Sequence, residues 1–306
     1  MIIHNICIRI IINRVCLKMF INTKPLHPTF GVIIEDLDLN QVSKNFLYKE
    51  IRELFENYSA ILFKNQEISD YAHISFAKLF GELENREAMA NNSDVEFELS
   101  LVTNQKKDKS VYDEFDIKTL DLKANMLWHT DSTFLPIPAL ANIITAKIIP
   151  SSGGETELAS TRVALKKLPK DLYHYIKDKK IWHNLSHSRK QINEKLAEET
   201  YINRWPSQKW DAILKNPITG EKSIYIASHS YQIEGMSELN SQKIITEVIN
   251  FCTQNEFVYS HSWSLGDVLI WDERSILHRG RPWPYEEPRT MASICVSVGK
   301  NDGFKI

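Results

Sequence analysis

Hydrophobic and polar positions along the first third of the chain predict two helices around a buried strand. Apolar residues recur at helical spacing in residues 45–58. A second pattern of this kind follows Ser69, which can cap a helix that ends at Gly81. The run Ala60–Phe63 between the two patterns is apolar throughout and has the length of a buried strand. A helical layer is therefore expected ahead of the remaining elements.

The rest of the chain is dominated by short apolar or alternating runs, separated by Gly, Pro and Asp residues. Strands are expected at residues 31–34, 140–149, 155–158, 181–187, 224–227, 257–263, 268–271, 275–278 and 291–298. Thr161 and Ser237 can cap two further helices. This pattern is typical of a mainly β protein with flanking α-helices, an antiparallel sandwich or jelly roll whose mouth collects side chains from distant strands.

Two segments carry little periodicity. Residues 188–217 are polar and aromatic and give no clear assignment, and residues 85–125 are predicted to be a long irregular loop. A long loop ahead of a binding site is often a lid or a binding loop, although a merely solvated loop fits the composition equally well.

Composition narrows the function classes. The chain has 306 residues, 43% of them hydrophobic, which is enough to bury a large core, and its net charge of −2 gives no basic surface for nucleic acid. The four cysteines contain no C-x-x-C pair, so reduced thiols in a cytoplasmic protein are expected. A small-molecule substrate is the expected partner, and the oligomeric state is left open, a homo-oligomer included.

Residues 1–21 differ from the rest in composition. Isoleucines there are interrupted by Arg9, Arg14 and Lys18, so the segment lacks the unbroken apolar stretch of a signal peptide or a spanning helix. No stable membrane insertion is expected, and an amphipathic anchor is the minor alternative. We expect residues 1–21 to be an N-terminal extension of doubtful structural role and residues 22–306 to form a single domain.

The chemistry is concentrated around His129 and Asp131. In extended backbone these residues project to the same face, so they can offer one nitrogen and one oxygen to a single metal ion. His278 is the best candidate for a third ligand, because it ends a predicted strand just before a turn. Two histidines and one carboxylate suit non-haem Fe(II) that activates O2. Rival third ligands, each more typical of a core or surface histidine, are His183, His187, His229 and His261.

Further residues acquire roles if this metal hypothesis holds. A dicarboxylate co-substrate that chelates the metal needs its distal carboxylate neutralised, and Arg289 can do this with two charge-assisted hydrogen bonds. Thr156 can supply a hydroxyl to the same ligand. Asp272 and Glu273 are carboxylates that can orient the imidazole of His278, and solvated surface charge is the alternative for both.

At this point several ordered blocks resemble the TauD/TfdA family of Fe(II)/2-oxoglutarate-dependent dioxygenases, over about residues 25–299. The blocks are LWHTDSTF at 127–134, SGGETE at 152–157, GD at 266–267, WD at 271–272, HRG at 278–280, HPTFG at 27–31 and residues 76–83. The resemblance implies a double-stranded β-helix, a cupin-like jelly roll. It also implies Fe(II) bound by His129, Asp131 and His278, 2-oxoglutarate bound by Thr156 and Arg289, and O2 as the oxidant.

Within this family the chain is most similar to the aryloxyalkanoate branch, which oxidises 2,4-dichlorophenoxyacetate. The similarity lies in EFVY at 256–259 with His261 and Trp263, and in SH at 228–229 with IEG at 233–235. Taurine-oxidising members carry a second arginine four residues after the co-substrate arginine, and this chain has Ser293 there. A taurine substrate is therefore not expected.

The resemblance implies a reaction in which oxidative decarboxylation of 2-oxoglutarate to succinate and CO2 is coupled to hydroxylation of a small organic acid. A hydroxyl placed next to an ether or a sulfonate would lead to C–O or C–S cleavage. Two alternatives stay open at this stage. One is desaturation of an aromatic amino-acid isonitrile by the same iron chemistry, and the other is a non-catalytic jelly roll that binds a small ligand.

Overall fold

The computed structural model describes residues 6–12, 15–86, 89, 96–97, 99–201 and 205–305. Its strands are β1 (Ile6–Ile12), β2 (Val15–Ile21), β3 (Lys24–Pro25), β4 (Val32–Ile34), β5 (Ala60–Phe63), β6 (Ser100–Thr103), β7 (Ala139–Ile148), β8 (Thr156–Ser160), β9 (Lys180–His183), β10 (Gln208–Asp211), β11 (Ile213–Lys215), β12 (Lys222–Ile224), β13 (Ser230–Ile233), β14 (Val258–His261), β15 (Val268–Asp272), β16 (Ile276–Gly280) and β17 (Thr290–Ser297).

The helices lie between these strands and at the flanks of the fold. They are α1 (Tyr48–Tyr58), α2 (Asp70–Phe80), α3 (Ile117–Ala124), α4 (Thr161–Lys167), α5 (Lys170–Ile176), α6 (Leu185–Lys190), α7 (Glu194–Tyr201) and α8 (Glu238–Cys252), with 3₁₀ turns at Leu39–Gln41 and Asn255–Phe257. No described helix combines the length and the apolar composition that crossing a membrane requires.

Two sheets form the centre of the fold. The larger has the strand order β3-β4-β5-β15-β7-β17-β6, and its strands pair antiparallel except for β4 and β5. The smaller is antiparallel with the order β14-β8-β16. Strands that are far apart in sequence are therefore neighbours in space. This architecture confirms the predicted mainly β jelly roll with flanking helices.

The central strands of the larger sheet are covered on both faces. On β15, Ile270 belongs to the cluster that contains Phe76 of α2, whereas Trp271 belongs to the cluster that contains Leu158 and Ile276 of the smaller sheet. Because both faces are buried, the strands are apolar almost without interruption. The face of the larger sheet that looks toward the smaller one is where the functional side chains lie.

Two of the three predicted serine and threonine caps are confirmed. The Ser69 hydroxyl accepts a hydrogen bond from the Ala72 N–H at 3.1 Å, and Ser237 caps α8 in the same way. The third prediction is wrong by one residue, since Ser160 caps α4 and Thr161 is its first residue. The Thr161 hydroxyl is engaged elsewhere, because it donates to the Ser275 carbonyl at 3.0 Å.

Some predicted loops and strands are also wrong. Within residues 85–125, β6 pairs with β17 at the edge of the larger sheet, and α3 begins after Asp116, whose carboxylate accepts from the Lys118 N–H. Residues 87, 88, 90–95 and 98 of the predicted loop lie outside the described residues. The strand expected at 181–187 ends at His183, because Asn184 caps helix α6 there through the His187 N–H.

The first two strands pair with one another. β1 and β2 form an antiparallel hairpin whose register runs from Ile6 opposite Ile21 to Ile12 opposite Val15. The larger sheet, in contrast, begins with β3. That residues 1–21 are an extension outside the domain stays a prediction, and residues 1–5 and 13–14 lie outside the described residues.

Buried charges hold the turn between β15 and β16, the strand that carries His278. The Arg274 guanidinium donates to Asp272 at 2.8 and 3.0 Å and to Glu56 of α1 at 2.7 Å. None of these three residues is more than 3% exposed. Helix α1 is thereby joined to the turn that precedes β16, through ion pairs whose charges are matched.

Replacing Arg274 with Met is expected to lower the free energy of unfolding by about 3 kcal/mol or more, since Glu56 and Asp272 would lose their shared buried partner. Lys166→Met removes an exposed ion pair with Glu221 and should cost about 1 kcal/mol or less. Urea denaturation followed by circular dichroism measures both variants. Equal losses in the two would contradict the structural role of the Arg274 network.

Candidate active site

His129 and His278 are held side by side by their backbones. The His129 N–H donates to the His278 carbonyl at 3.0 Å, and the His278 N–H donates to the His129 carbonyl at 2.8 Å. Their ring centroids are 4.1 Å apart. Asp131 completes the group, with Oδ1 3.8 Å from the His129 Nε2 and Oδ2 3.7 Å from the His278 Nε2. The structure therefore brings the three predicted ligands to one place, with one atom of each within 4.8 Å of the others.

The tautomer of His129 follows from its surroundings. Its Nδ1 lies 2.7 Å from the Leu127 carbonyl oxygen, which can only accept a hydrogen bond, so Nδ1 carries the proton. The Nε2 lone pair is then directed toward Asp131 and is available to a metal. Burial lowers the pKa of His129, which keeps the ring neutral.

Glu273 connects the triad to the sheet behind it. It accepts hydrogen bonds from the Trp271 Nε1 at 2.7 Å and from the Asp131 N–H at 2.9 Å, and its Oε2 lies 3.7 Å from the His278 Nδ1. Burial raises the pKa of Glu273 well above its usual range and lowers that of His278 to about 3. Glu273 therefore lies beside His278 without a hydrogen bond to it and holds the Asp131 backbone, whereas Asp272 belongs to the Arg274 network.

Asp131 is an ionised carboxylate. Burial alone would raise its pKa, but the imidazoles of His278 and His129, the guanidinium of Arg86 and the amide of Asn142 together hold the pKa below its usual range. Asn142 donates to Oδ2 at 2.7 Å. Two neutral imidazole nitrogens and one charged oxygen are thus directed into the same space.

This space is part of a cavity of about 420 Å³, a size suited to small molecules. Thr156 and Arg289 line it together with the triad. Its other walls are formed by Glu84, Asn85, Arg86, Glu96, Phe97, Leu99, Ser100, Val102, Asn125, Asn142, Ile144, Trp271, Arg279, Gly280, Met291, Ser293 and Cys295. Described parts of the segment 85–125 therefore lie against the site, as expected of a binding loop.

Arg289 is a buried cation with no ion-pair partner among the residues that the structure describes. Its Nε and Nη2 donate to the Gly154 carbonyl at 3.1 and 2.9 Å, and its guanidinium lies 5.2 Å from the centroid of the Trp283 ring. No carboxylate of the described residues is within ion-pair distance, and burial lowers the pKa of Arg289 to about 10, although Glu155 acts in the opposite direction. A bound carboxylate would compensate this charge.

Two neighbours complete the surroundings of Arg289. A side chain at Gly154 would place its Cβ 2.9 Å from the Arg289 Nε, and the φ of +71° at this position also favours glycine. The Thr156 Oγ1 accepts from the Trp263 Nε1 at 3.0 Å, so its own hydroxyl proton is free to donate into the cavity.

The family model "Taurine catabolism dioxygenase TauD, TfdA family" matches residues 22–295 of this chain. The chain belongs to the TauD/TfdA family. It is similar to an alpha-ketoglutarate-dependent 2,4-dichlorophenoxyacetate dioxygenase of Cupriavidus pinatubonensis, at 31% identity over 89% of this chain and 96% of that protein. It is also similar to an (S)-phenoxypropionate/alpha-ketoglutarate-dioxygenase of Sphingobium herbicidovorans, at 29% identity over 87% and 91%.

A solved structure agrees with these matches. The complex of AAD-2 with Mn(II) and N-oxalylglycine superposes with a TM-score of 0.84 at 28% identity, covering 94% of this chain and all of AAD-2. TauD/TfdA proteins are oxidoreductases that use Fe(II), 2-oxoglutarate and O2, and this chain is an enzyme of that class. The donor set of the cavity fits Fe(II), because two imidazoles and a carboxylate on one side of the ion leave its other positions open.

The rival histidines lie apart from the triad of this TauD/TfdA enzyme. His261 contacts Asp267 and Tyr259, His187 lies beside Tyr231, and His183 is buried in β9. The His229 ring centroid is 6.2 Å from that of His129. Among the described residues only His129, Asp131 and His278 form a cluster with metal-ligand spacing.

Sequence reasoning missed several cavity residues. Asn142 and Cys295 both contact Asp131, and Arg86 donates to Glu84 at 2.5 Å and to Ser132 at 3.1 Å beside it. A signal existed for Asn142, which is a lone polar amide in an otherwise buried, apolar half-strand. The other residues carry no pattern that distinguishes them from surface or core positions.

His183 is expected to make folding pH-dependent. Burial lowers its pKa to about 3, whereas an unfolded histidine titrates near pH 6.5, so the unfolded chain takes up the proton first. The free energy of unfolding therefore falls as the pH drops below about 6.5. His183→Gln should reduce this decline by up to about 1.4 kcal/mol per pH unit.

His174→Gln, on the exposed side of α5, is the matched control and should leave the decline unchanged. Urea unfolding of the parent and both variants between pH 7.5 and pH 4.5, at intervals of about one unit, gives the slopes. A decline of the same steepness in His183→Gln and in the parent would show that His183 is not held neutral by the fold.

Proposed function

We propose that this enzyme uses Fe(II) bound by His129, Asp131 and His278, and 2-oxoglutarate bound by Thr156 and Arg289, to hydroxylate a small organic acid. The observation that carries the proposal is that the triad and an unpaired, buried arginine share one cavity of about 420 Å³. A metal ion would bind to the triad, and a ligand carboxylate would neutralise the arginine.

The protein's own residues prepare the metal-binding groups. The Leu127 carbonyl keeps the proton of His129 on Nδ1, and the reciprocal backbone bonds keep the two imidazoles adjacent. Asn142 supports the charge of Asp131. These contacts fix the directions of the ligating atoms, which reduces the cost of binding a metal.

The co-substrate groups are similarly placed. Arg289 can form charge-assisted hydrogen bonds with a carboxylate that enters the cavity, and Thr156 can donate its hydroxyl proton to the same group. With both bound, Fe(II) supplies from O2 the oxidant that converts 2-oxoglutarate to succinate and CO2 and adds one oxygen atom to a substrate C–H bond. The buried walls formed by Trp271 and Met291 limit the access of bulk water.

The substrate class is supported by the cavity and by the relatives. Phe97, Leu99, Val102 and Ile144 give the cavity an apolar wall that suits a hydrocarbon or aromatic body. Two relatives are named for aryloxyalkanoate acids. We infer a small organic acid with an apolar body, in which hydroxylation of the carbon bonded to an ether oxygen or to a sulfonate sulfur would be followed by cleavage of the C–O or C–S bond.

The compartment is also proposed from the thiols. Cys252 and Cys295 are free cysteines, with Cys252 buried in α8. Unpaired thiols are typical of proteins in a reducing environment, which supports a cytoplasmic location.

Succinate formation is the first test of the proposed reaction. The protein, Fe(II), ascorbate and 2-oxoglutarate under air should form succinate faster when one member of a panel is added. The panel contains aryloxyalkanoates, alkylsulfonates, taurine and aromatic amino-acid isonitriles. Asp131→Ala should lower the stimulated rate by about 100-fold or more, since it removes a metal ligand.

Two controls make this assay decisive. His187→Ala, which alters a histidine outside the triad, should retain the stimulated rate. A product that has lost two hydrogens without gaining oxygen would support the desaturase alternative. No difference between the parent and Asp131→Ala with any panel member would contradict the proposed reaction.

Arg289→Met is expected to weaken 2-oxoglutarate binding by about 10-fold or more, because it removes the charge-assisted hydrogen bonds to the distal carboxylate. Calorimetric titration of 2-oxoglutarate into the Mn(II)-loaded protein measures the change. Arg279→Met is the matched control, since Arg279 also lines the cavity but is paired with Glu157 at 2.6 Å. Equal affinities for 2-oxoglutarate in the two variants would contradict the role of Arg289.

A further inference from the structure

The two carboxylate oxygens of Asp131 have different surroundings. Oδ2 accepts a hydrogen bond from the Asn142 Nδ2 at 2.7 Å, and the Cys295 Sγ lies 3.5 Å from it. Within the described part of the chain no donor reaches Oδ1, which lies 3.8 Å from the His129 Nε2. Both oxygens face the imidazoles, since Oδ2 also lies 3.7 Å from the His278 Nε2. The difference between them is that Oδ2 accepts the hydrogen bonds from the protein, whereas Oδ1 keeps its lone pairs for a ligand.

Asn142 is itself fixed in place. It is 4% exposed and lies on β7 between Trp271 of β15 and Cys295 of β17. Its Oδ1 accepts from the Ser293 hydroxyl at 2.9 Å. The amide nitrogen therefore faces Asp131 and donates to it, while the amide oxygen faces the Ser293 hydroxyl and accepts from it.

We propose that Asn142 is a positioning residue that makes Asp131 a one-oxygen ligand of the metal, and that Ser293 fixes the orientation of its amide. This inference rests on the metal site proposed above. An octahedral ion held by a facial triad keeps the opposite face open for co-substrate and O2, and a second Asp131 oxygen on the metal would occupy part of that face. By engaging Oδ2, Asn142 preserves the open positions.

This role also explains Ser293. Its hydroxyl donates to the Asn142 Oδ1 at 2.9 Å and is therefore turned to Asn142 rather than left for a substrate. Ser293 therefore acts on the metal carboxylate through Asn142 and not on the acid group of the substrate. The wall of the cavity at this position is correspondingly neutral.

Manganese binding tests the inference without turnover. Mn(II) is titrated calorimetrically into the metal-free parent and into Asn142→Ala, Asn142→Ser and Ser293→Ala. Water-proton relaxation at saturating Mn(II) then compares the number of coordinated waters. In both Asn142 variants the dissociation constant should rise by about 10-fold or more, and the relaxation per bound Mn(II) should fall by up to about a third as Oδ2 replaces a water.

Ser293→Ala should raise the dissociation constant by a smaller factor, about 2- to 10-fold, because it removes one neutral hydrogen bond. Ile143→Val, on the opposite face of β7, is the matched control and should bind Mn(II) as the parent does. Circular dichroism identifies any variant that fails to fold. If Asn142→Ala does not fold, Asn142→Ser and Ser293→Ala still test the inference.

The outcomes separate this inference from the proposed function. Parent-like affinity and relaxation in the folded Asn142 variants, with Mn(II) binding abolished by His129→Ala, would overturn the positioning role and leave the metal site standing. Mn(II) binding that persists in His129→Ala would instead contradict the metal site, and this inference with it.

Discussion

The reciprocal hydrogen bonds between the backbones of His129 and His278 are the constraint on which the site depends. They join two segments that are distant in sequence, and they fix two imidazoles whose ring centroids are 4.1 Å apart. Asp131 follows His129 by two residues, and in extended backbone this spacing directs both side chains to the same space. Every other feature of the cavity is arranged around this pair.

The two sheets explain how such a constraint can be met. β16 is held against β8, with His278 opposite Leu158, and the turn before it is held by Arg274 and its buried carboxylates. Side chains alternate between the two faces of a strand, so Asn142 of β7 and Ser293 of β17 both lie on the face of the larger sheet that looks toward the smaller one. The surroundings of the ligands are thus set by buried elements of both sheets.

Charge compensation distinguishes the structural from the functional arginines. Arg274 is buried among Glu56 and Asp272, so its charge is matched within the fold. Arg289 is also buried, yet its guanidinium donates to a carbonyl oxygen and lies over the Trp283 ring, with no carboxylate of the described residues at ion-pair distance, and burial lowers its pKa to about 10. A protein maintains such an unpaired cation at a cost in stability, which is consistent with a site built to receive a carboxylate ligand.

Sequence alone predicted a large part of this arrangement. Local chemistry accounts for the spacing of apolar residues in the strands and helices and for the caps at Ser69 and Ser237. It also accounts for the pair His129 and Asp131. His278 is preferred over its rivals because it ends a predicted strand before a turn, and the family resemblance supports this choice and the pairing of Thr156 with Arg289. Local patterns carry no information about which distant strands meet, so the sequence could not show that these residues share one cavity.

The errors have local physical causes. Thr161 is the predicted cap, but Ser160 fills that position in the structure; both residue types can cap a helix, and only the fold shows that the Thr161 hydroxyl is engaged elsewhere. The strand β6 was missed because it lies at an exposed edge, where polar residues are tolerated. Asn142 was missed because a single amide in an apolar strand has no partner that the sequence can identify.

A crystal structure of this protein with Mn(II) and N-oxalylglycine, the pair bound in the AAD-2 complex, tests the central claim most directly. The account predicts Mn(II) bound by the Nε2 atoms of His129 and His278 and by Oδ1 of Asp131, with the distal carboxylate of the ligand on Arg289. A metal bound elsewhere, or a ligand carboxylate that does not contact Arg289, would contradict it.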